Sequence, residues 1–522
     1  MERIRNSKYG VAEYITGFFV LVLVTVFPLF VHEKYFDILT AKYMFFYISV
    51  IAMTVLVSIS LIITRINKKT KLDILVPVRL IGPDYAILCF WGISLLSTVF
   101  SSYFYESFWG NEGRYCGFFL LSIFTAMYFV VSRKWVFSRL YIEAFLLASM
   151  LVCLWGITDF FQLDIFEFRI DLGPGDKPNF TSSFGNINTY TAYVSLVIGI
   201  AGTMFLSEPR GKRLAWYTLC IIISFFAIIV GWSDNAYLAL GALFGFIPFY
   251  AFRTRLGAKR YLMMVAVFAT VVQCITWICT AFKGKIVEAS SLFNVLSDFP
   301  GLIFIVLLIW FITLGVYWLD RKNDESNWKL IRPYFYKIWI GVIAAVVAVV
   351  LMLLYDANTS ADPHKYGSLS KYLVFNDEWG THRLYNWRLG IENYKRFSPV
   401  HKLLGYGPET YGIVTVLNNF DEMVRAFNEK YDNAHNEYLQ YFITIGPLGL
   451  LSYLGILITS GMYMIKKAVN NPCVIAFLFA VICYGVQASV NIATPMSTSF
   501  VWLFLAMGIA ACSEELTKDG NT

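Results

Sequence analysis

The feature that most constrains this chain is a series of apolar runs, each long enough to cross a lipid bilayer. A helix needs about 20 consecutive apolar residues to span roughly 30 Å of hydrocarbon, and such runs recur along the whole chain. Of the 522 residues, 58% are hydrophobic and 15% are charged, whereas about a quarter of the residues of soluble domains are charged. The sequence therefore predicts an all-α polytopic membrane protein and excludes a soluble enzyme, a disordered scaffold and a disulfide-stapled secreted module.

The apolar runs predict about fourteen transmembrane helices, within a range of about twelve to fourteen. The predicted spans are 11–31, 44–63, 84–101, 116–132, 140–162, 186–206, 214–231, 236–252, 261–282, 301–318, 335–354, 438–465, 472–490 and 498–512. The first run contains Pro28 and lacks a small-x-small cleavage site, so we interpret it as an uncleaved anchor.

Basic residues predict how these spans are oriented. With the N-terminus inside, the inside segments hold 26 of the 42 lysines and arginines, the short outside loops hold 7, and 355–437 holds 9. This bias predicts that both termini are cytoplasmic and that one long loop containing amphipathic helices is external. The predicted regions are 1–354 with spans 1–11, the external catalytic loop 355–437, 438–512 with spans 12–14, and the cytoplasmic tail 513–522. The net charge of +7 thus reflects orientation, and the partner it implies is a lipid surface, not a nucleic acid.

Four of the five histidines lie in 355–437. Loops collect polar residues, and no HxxxH, HxH or CxxC spacing favours a metal site. His435 differs because Asp432 or Asn433 is a plausible N-cap for the span that begins near Tyr438. That interpretation puts His435 in the first turn, where the helix dipole disfavours imidazolium and a neutral imidazole is available as a general base. The alternative is a helix-capping histidine at the membrane interface.

A second group of polar residues follows Trp379. Thr381 is a plausible cap for a helix whose apolar positions are Leu384, Trp387, Ile391 and Tyr394. This spacing predicts a helix along the membrane surface, with its aromatic side toward lipid and Arg383 and Arg388 near headgroup level. A guanidinium fork suits phosphate oxygens, and the alternative is that both arginines only anchor the helix by snorkelling. Gly405-Tyr406-Gly407-Pro408 is a turn signal, not a phosphate loop.

Three further external segments carry polar residues. Arg114 lies between turn residues, and Asn186 and Asn188 open a span where capping is expected. The sequence Ser233-Asp234-Asn235 predicts a tight turn that needs no other role.

In combination, these segments resemble the O-antigen ligase and polymerase superfamily of bacterial membrane glycosyltransferases. The ligase pattern is His followed by Asn, Ser or Gln, then nine residues and Gly-x-x-Gly/Thr/Tyr, and it is matched from His435 to Gly449. The residues that carry the resemblance are Arg114, Asn186, Asn188, Arg383, Trp387, Gly405, Gly407, His435, Asn436, Gly446 and Gly449. The chain departs from the family at Ser233-Asp234-Asn235, where a Ser-Arg-Gly turn is common, and before Gly185, where the substitute for a common arginine is left open between Arg169 and Lys177.

The resemblance implies glycan transfer from a polyprenyl-pyrophosphate donor to an acceptor hydroxyl at the outer face of the bacterial cytoplasmic membrane. His435 would deprotonate the acceptor, and Arg383, with Arg388 or Arg114, would neutralise the leaving pyrophosphate. It implies no metal and no cofactor. The acceptor, whether a lipid, a glycan or another polymer, separates a ligase from a polymerase and is left open.

A different class of function is a flippase or other transporter of lipid-linked glycans. Transporters usually place ionisable residues in the middle of spans, whereas Asp84, Glu143 and Asp159 lie toward span ends. The long polar loop also favours the enzyme, and it argues against a purely structural scaffold.

Overall fold

The computed structural model describes residues 10–67, 80–288, 291–297, 299–320 and 325–519. Within these ranges the regular secondary structure is helical apart from two antiparallel two-residue strands, β1 (Phe180–Thr181) and β2 (Gly185–Asn186). The basic residues of the N-terminus and most of the basic segment 65–79 lie outside the described residues.

The helices differ widely in length, and only the longer ones have the length of a membrane span. In chain order they are α1 (Val11–Leu29), α2 (Ile38–Asn67), α3 (Gly82–Val99), α4 (Phe104–Trp109), α5 (Phe118–Lys134), α6 (Leu140–Phe160), α7 (Ile187–Ser207), α8 (Lys212–Val230), α9 (Ala236–Phe246), α10 (Pro248–Ala251), α11 (Arg255–Ala281), α12 (Ser291–Ser297), α13 (Leu302–Leu319), α14 (Glu325–Thr359), α15 (Ser370–Leu373), α16 (Trp379–Lys395), α17 (Pro399–Leu404), α18 (Tyr411–Phe427), α19 (Glu437–Thr444), α20 (Gly446–Ala468), α21 (Pro472–Gln487) and α22 (Thr498–Asp519).

Ten of the predicted spans have helices long and apolar enough to cross a membrane, counted over the described residues. These helices are α1, α2, α6, α7, α8, α11, α13, α14, α20 and α21. The other four predicted spans correspond to α3, α5, the pair α9–α10 and α22. The prediction of an all-α, multi-span protein is therefore confirmed.

The predicted continuous span 438–465 is wrong, because the chain forms two helices there. α19 ends at Thr444 and α20 begins at Gly446, whose φ of 78° lies in the left-handed region. An L-residue with a Cβ is strained at such a backbone angle, so the break falls at a glycine. The hydropathy of the segment is continuous across this break and gives no sign of it.

The chain divides into two compact units, and the first comprises Met1–Val152, Leu389–Val481 and Ala488–Thr522. In its core, Phe90 packs against Tyr453 and Trp502, with ring centroids 5.6 and 6.2 Å apart. Asp84 is buried, accepts a hydrogen bond of 2.9 Å from the Tyr128 hydroxyl and pairs with Arg133. This carboxylate also caps the start of α3, so a buried charge is satisfied within one unit.

The second unit comprises Cys153–Arg388 and Ile482–Gln487. α7 is enclosed, with every residue from Thr189 to Leu206 buried. In contrast, α13 and α14 expose large apolar side chains such as Phe311, which is 76% exposed. Exposed apolar surface of this kind is unfavourable in water and favourable in lipid, and it supports the assignment of both helices as membrane spans.

Candidate active site

His435 lies in a short turn immediately before α19. Its φ is 49°, and its backbone N–H donates to the side-chain oxygen of Asn433 at 2.9 Å. Asn436 caps α19 by accepting hydrogen bonds from Tyr438 N and Leu439 N at 3.1 and 3.0 Å. His435 is half-buried and directly precedes the residue that caps α19.

Two details of the predicted arrangement were wrong. The N-cap is Asn436, not Asp432 or Asn433, and His435 precedes the helix instead of lying in its first turn. The cap must be the residue directly before the first helical residue, and three neighbouring residues at this point have suitable side chains. Only the backbone angles decide among them.

The motif glycines allow two backbone segments to approach closely. A Cβ atom on Gly405 would lie 2.1 Å from Thr444 O, and one on Gly446 would lie 2.1 Å from Leu403 O. Gly407 N also donates to Thr444 O at 2.8 Å. The two predicted motifs therefore meet where the end of α17 crosses the break between α19 and α20. At Gly449, a Cβ would lie 2.4 Å from Ile445 Cγ2, so this glycine also has a packing role.

Arg114 is joined to the His435 segment by an ion pair. Its Nη2 atom lies 3.1 and 3.3 Å from the two carboxylate oxygens of Asp432. Glu409 interacts electrostatically with both groups and is only 6% exposed. Burial raises the pKa of Glu409 to about 7; Arg114 opposes this shift and Asp432 adds to it. The sequence analysis missed Glu409, because a single glutamate after a turn carries no distinctive signal.

Arg383 follows three consecutive residues in left-handed backbone conformation. Gly380, Thr381 and His382 have φ angles of 63°, 59° and 62°. Arg383 Nη1 donates to Gly380 O at 2.7 Å, while its buried Nε has no hydrogen-bond partner among the described residues. Burial lowers the pKa of this guanidinium, and Asp234 opposes that shift. The predicted cap at Thr381 is wrong, since regular helical geometry begins only after His382.

The buried face of α16 also differs from the predicted apolar face. Tyr385 and Leu389 are buried, whereas Leu384 and Trp387 are half-buried and Ile391 is 41% exposed. The apolar side was predicted to face lipid, so the partial exposure of Leu384, Trp387 and Ile391 does not contradict the prediction.

Asp234 connects Arg383 to a polar network within the second unit. Its Oδ2 atom accepts a hydrogen bond of 2.8 Å from the Tyr372 hydroxyl. The neighbouring Ser233 and Asn235 donate to Asn188 Oδ1 at 2.7 and 3.2 Å. The turn Ser233-Asp234-Asn235, for which the sequence predicted no further role, therefore supplies a carboxylate that acts electrostatically on Arg383. Asn186 has the capping role expected from its position, at the start of α7.

The other basic candidates in this unit have partners. Arg388 pairs with Asp377 at 3.1 Å and stacks over the Tyr385 ring at 5.1 Å. Arg169 is buried and donates to the backbone oxygens of Asp159 and Lys177 at 2.7 and 2.6 Å. Arg169 and Lys177 line a cleft of about 640 Å³. These hydrogen bonds show that Arg169 holds the loop before β1 in place.

The predicted site residues fall into two clusters, one in each compact unit. The cluster of the first unit comprises Arg114, Gly405, Gly407, His435, Asn436, Gly446 and Gly449. The cluster of the second unit comprises Asn186, Asn188, Arg383, Trp387 and Arg388. In the first cluster the glycines and the His435 segment are joined by the contacts described above, and in the second the turn Ser233-Asp234-Asn235 links Asn188 to Arg383.

Comparison with known proteins gives one family match. Residues 289–454, about one third of the chain, match the family model described as O-antigen ligase. No curated protein gives a significant match. The matched region includes 355–437 and the His435 motif.

Proposed function

The chain belongs to the O-antigen ligase superfamily, and on that premise we propose that it transfers a glycan from a polyprenyl-pyrophosphate donor to an acceptor hydroxyl. The reaction would take place at the outer face of the bacterial cytoplasmic membrane. We further propose fourteen spans, with both termini cytoplasmic and 355–437 external. The bias of 26 inside against 7 outside basic residues supports this orientation.

In the proposed reaction, His435 is the general base. Its neutral imidazole accepts the proton of the acceptor hydroxyl, and the resulting oxygen nucleophile attacks the anomeric carbon of the donor sugar. The bond from that carbon to the pyrophosphate oxygen breaks, and polyprenyl pyrophosphate leaves. A single displacement of this kind inverts the configuration at the sugar carbon. The position of His435 at the N-terminal end of α19 supports this role because the helix dipole favours the unprotonated ring.

Arg383 is the proposed pyrophosphate ligand, because it lacks an ion pair among the described residues and its buried Nε atom is unused. Arg114 and Arg388 are in ion pairs with Asp432 and Asp377. Arg383 lies within ion-pair distance of no carboxylate among the described residues, and its buried Nε is unused. A half-buried cation with an unused Nε donor is suited to an oxyanion whose charge develops as the sugar leaves. Because the arginines would supply that charge, the proposal is metal-independent.

The proposed function is tested by incubating purified protein with a polyprenyl-pyrophosphate-linked glycan and candidate acceptors. We expect a glycosylated acceptor and free polyprenyl pyrophosphate, with a chelator making no difference. A growing glycan accepted in preference to lipid or protein would identify a polymerase of the same superfamily. Movement of the lipid-linked glycan across vesicles without transfer would contradict the enzyme assignment and support the transporter.

The orientation has its own test. Single cysteines introduced into 355–437 should react with a membrane-impermeant thiol reagent in intact cells, whereas cysteines in 321–334 should react only after permeabilisation. The reverse labelling would put His435 and Arg383 on the cytoplasmic side and exclude an external reaction.

A further inference from the structure

Glu409 is a buried glutamate that the proposed reaction does not use. It lies in the loop between α17 and α18, and its backbone has a φ of 63°, an unfavourable angle for a non-glycine residue. Its Oε2 atom is buried and has no hydrogen-bond partner among the described residues. Asn111 Nδ2 donates to the backbone oxygen of Glu409 at 2.6 Å and so fixes this strained loop. Buried carboxylates are normally paired, and strained backbone often marks a functional position.

Three titratable groups act on this carboxyl or respond to it. Arg114 favours its ionised form, Asp432 disfavours that form, and the thiol of Cys116 responds to its charge. Arg114 is paired with Asp432 in a two-oxygen contact, and Asp432 is 56% exposed. Arg114 is therefore in direct contact with the exposed carboxylate and acts on the buried one electrostatically, from beyond ion-pair distance. When both acids are ionised, the positive charge of Arg114 is more than balanced.

We propose that Glu409 is a positioning residue that controls how much of the charge of Arg114 is available to an anionic donor, by taking up and releasing a proton. This inference rests on the proposed function. With Glu409 protonated, Arg114 keeps its ion pair with the exposed Asp432, which an incoming pyrophosphate is able to displace. With Glu409 ionised, a second carboxylate competes with the pyrophosphate for the same guanidinium. The two oxygens of the pyrophosphate diester carry fixed charges near neutral pH, so the proton that matters belongs to the protein.

The raised pKa of Glu409 predicts the direction in which the KM for the donor changes with pH. This pKa lies at about 7, so the carboxyl is mostly protonated at pH 6 and mostly ionised at pH 8. The KM for the donor should therefore rise between these pH values, by about tenfold for a close charge in a shielded site. The change should appear in KM more than in kcat, because the effect is on donor binding.

The first experiment tests the proton itself and does not require enzymatic activity. Infrared difference spectra of the purified protein between pH 6 and pH 8 should contain the band of a protonated carboxyl that disappears as the pH rises. Glu409→Gln should remove this band. Glu422→Gln is the matched control, because Glu422 lies on the following helix, α18, and accepts a hydrogen bond from Asn419 at 3.1 Å. A band that persists in Glu409→Gln and disappears in Glu422→Gln would overturn the proposal.

The second experiment measures donor KM against pH for the same variants. Glu409→Gln mimics the protonated form, so its KM should stay low and flat from pH 6 to pH 8, whereas Glu422→Gln should follow the wild type. A Glu409→Gln protein that loses the infrared band but keeps the wild-type KM profile would overturn the link to Arg114. If the wild type transfers no glycan at all, the proposed function is wrong. The infrared spectra still show whether Glu409 releases a proton between pH 6 and pH 8.

Asp432→Asn provides a second variant that leaves Glu409 in place. Because Asp432 raises the pKa of Glu409, its neutralisation should move both the infrared transition and the rise in KM to lower pH. Asp432 is largely exposed, so this substitution is expected to leave folding intact. Unchanged midpoints in this variant would overturn the proposed coupling of the three side chains.

Discussion

The two clusters of candidate residues handle charge in opposite ways. In the first unit, Arg114 is balanced by Asp432, and a buried Glu409 is held near the point of ionisation. In the second unit, Arg383 is enclosed with Asp234 as its electrostatic partner but without an ion pair among the described residues. The first cluster therefore links a titratable carboxyl group electrostatically to a paired arginine, whereas the second holds an arginine that forms no ion pair among the described residues. The proton transfer proposed for His435 and the phosphate binding proposed for Arg383 are tested by separate substitutions.

Removing the proposed base is the most direct test of the difference between the two clusters. His435→Ala should reduce glycan transfer by about 10²- to 10⁴-fold, the usual contribution of a positioned general base. The measurement is the initial transfer rate at matched membrane levels. His364→Ala is the control, since His364 is an exposed histidine of the same predicted loop. Normal transfer by a well-folded His435→Ala protein would remove proton chemistry from the first cluster.

The phosphate-binding role proposed for Arg383 is tested by changing the geometry of this side chain without changing its charge. Arg383→Lys should lower transfer by roughly 10- to 100-fold, because the ammonium group loses the planar two-point contact with phosphate. Arg388→Lys should stay near wild type, since Arg388 already pairs with Asp377 and lies about 140° around the helix. An active Arg383→Lys beside an inactive Arg388→Lys would reverse the assignment. If both lysine variants are active, the two arginines only anchor the helix at the membrane surface.

The close approach of Gly405 to Thr444 in the first unit predicts an effect of substitution on stability. Gly405→Ala should destabilise the protein by about 1–3 kcal/mol and reduce activity in proportion, because the new Cβ would meet Thr444 O. Thermal unfolding in detergent measures the change. The matched control is Gly367→Ala, which also has a positive φ but no atom within 4 Å of the added Cβ. Equal losses in the two variants would mean that backbone angle, and not close packing, sets the cost.

The smallest expected effect concerns the pH dependence of stability. The pKa of Glu409 is raised from 4.5 to about 7, so the folded protein holds this proton more tightly than the unfolded chain. The stabilisation is fully present below pH 4.5 and is lost as the pH rises to 7. Tm should therefore fall by a few degrees more in the wild type than in Glu409→Gln between pH 5 and pH 8. Parallel Tm curves would indicate that Glu409 ionises at its ordinary pKa.

Much of the architecture was predictable because hydrophobic length is a local property of the sequence. Ten of the predicted spans have helices long and apolar enough to cross a membrane, among the residues described. The helix that begins at Glu437 was close to the predicted start near Tyr438. The break at Gly446 was missed although Pro447 follows it, and the close approach of Leu403, which is distant in sequence, is visible only in the folded chain.

The site shows the same division. The sequence alone determined the membrane-spanning class, the helices around the polar loop and the residue types available for proton transfer and phosphate binding. It did not distinguish Arg383 from Arg388 and Arg114 by charge balance, and it gave Asp234 and Glu409 no role. Those differences depend on which carboxylates the folded chain brings near each guanidinium and how much water it excludes. Electrostatic energies depend on distance and burial, and both are decided by tertiary structure.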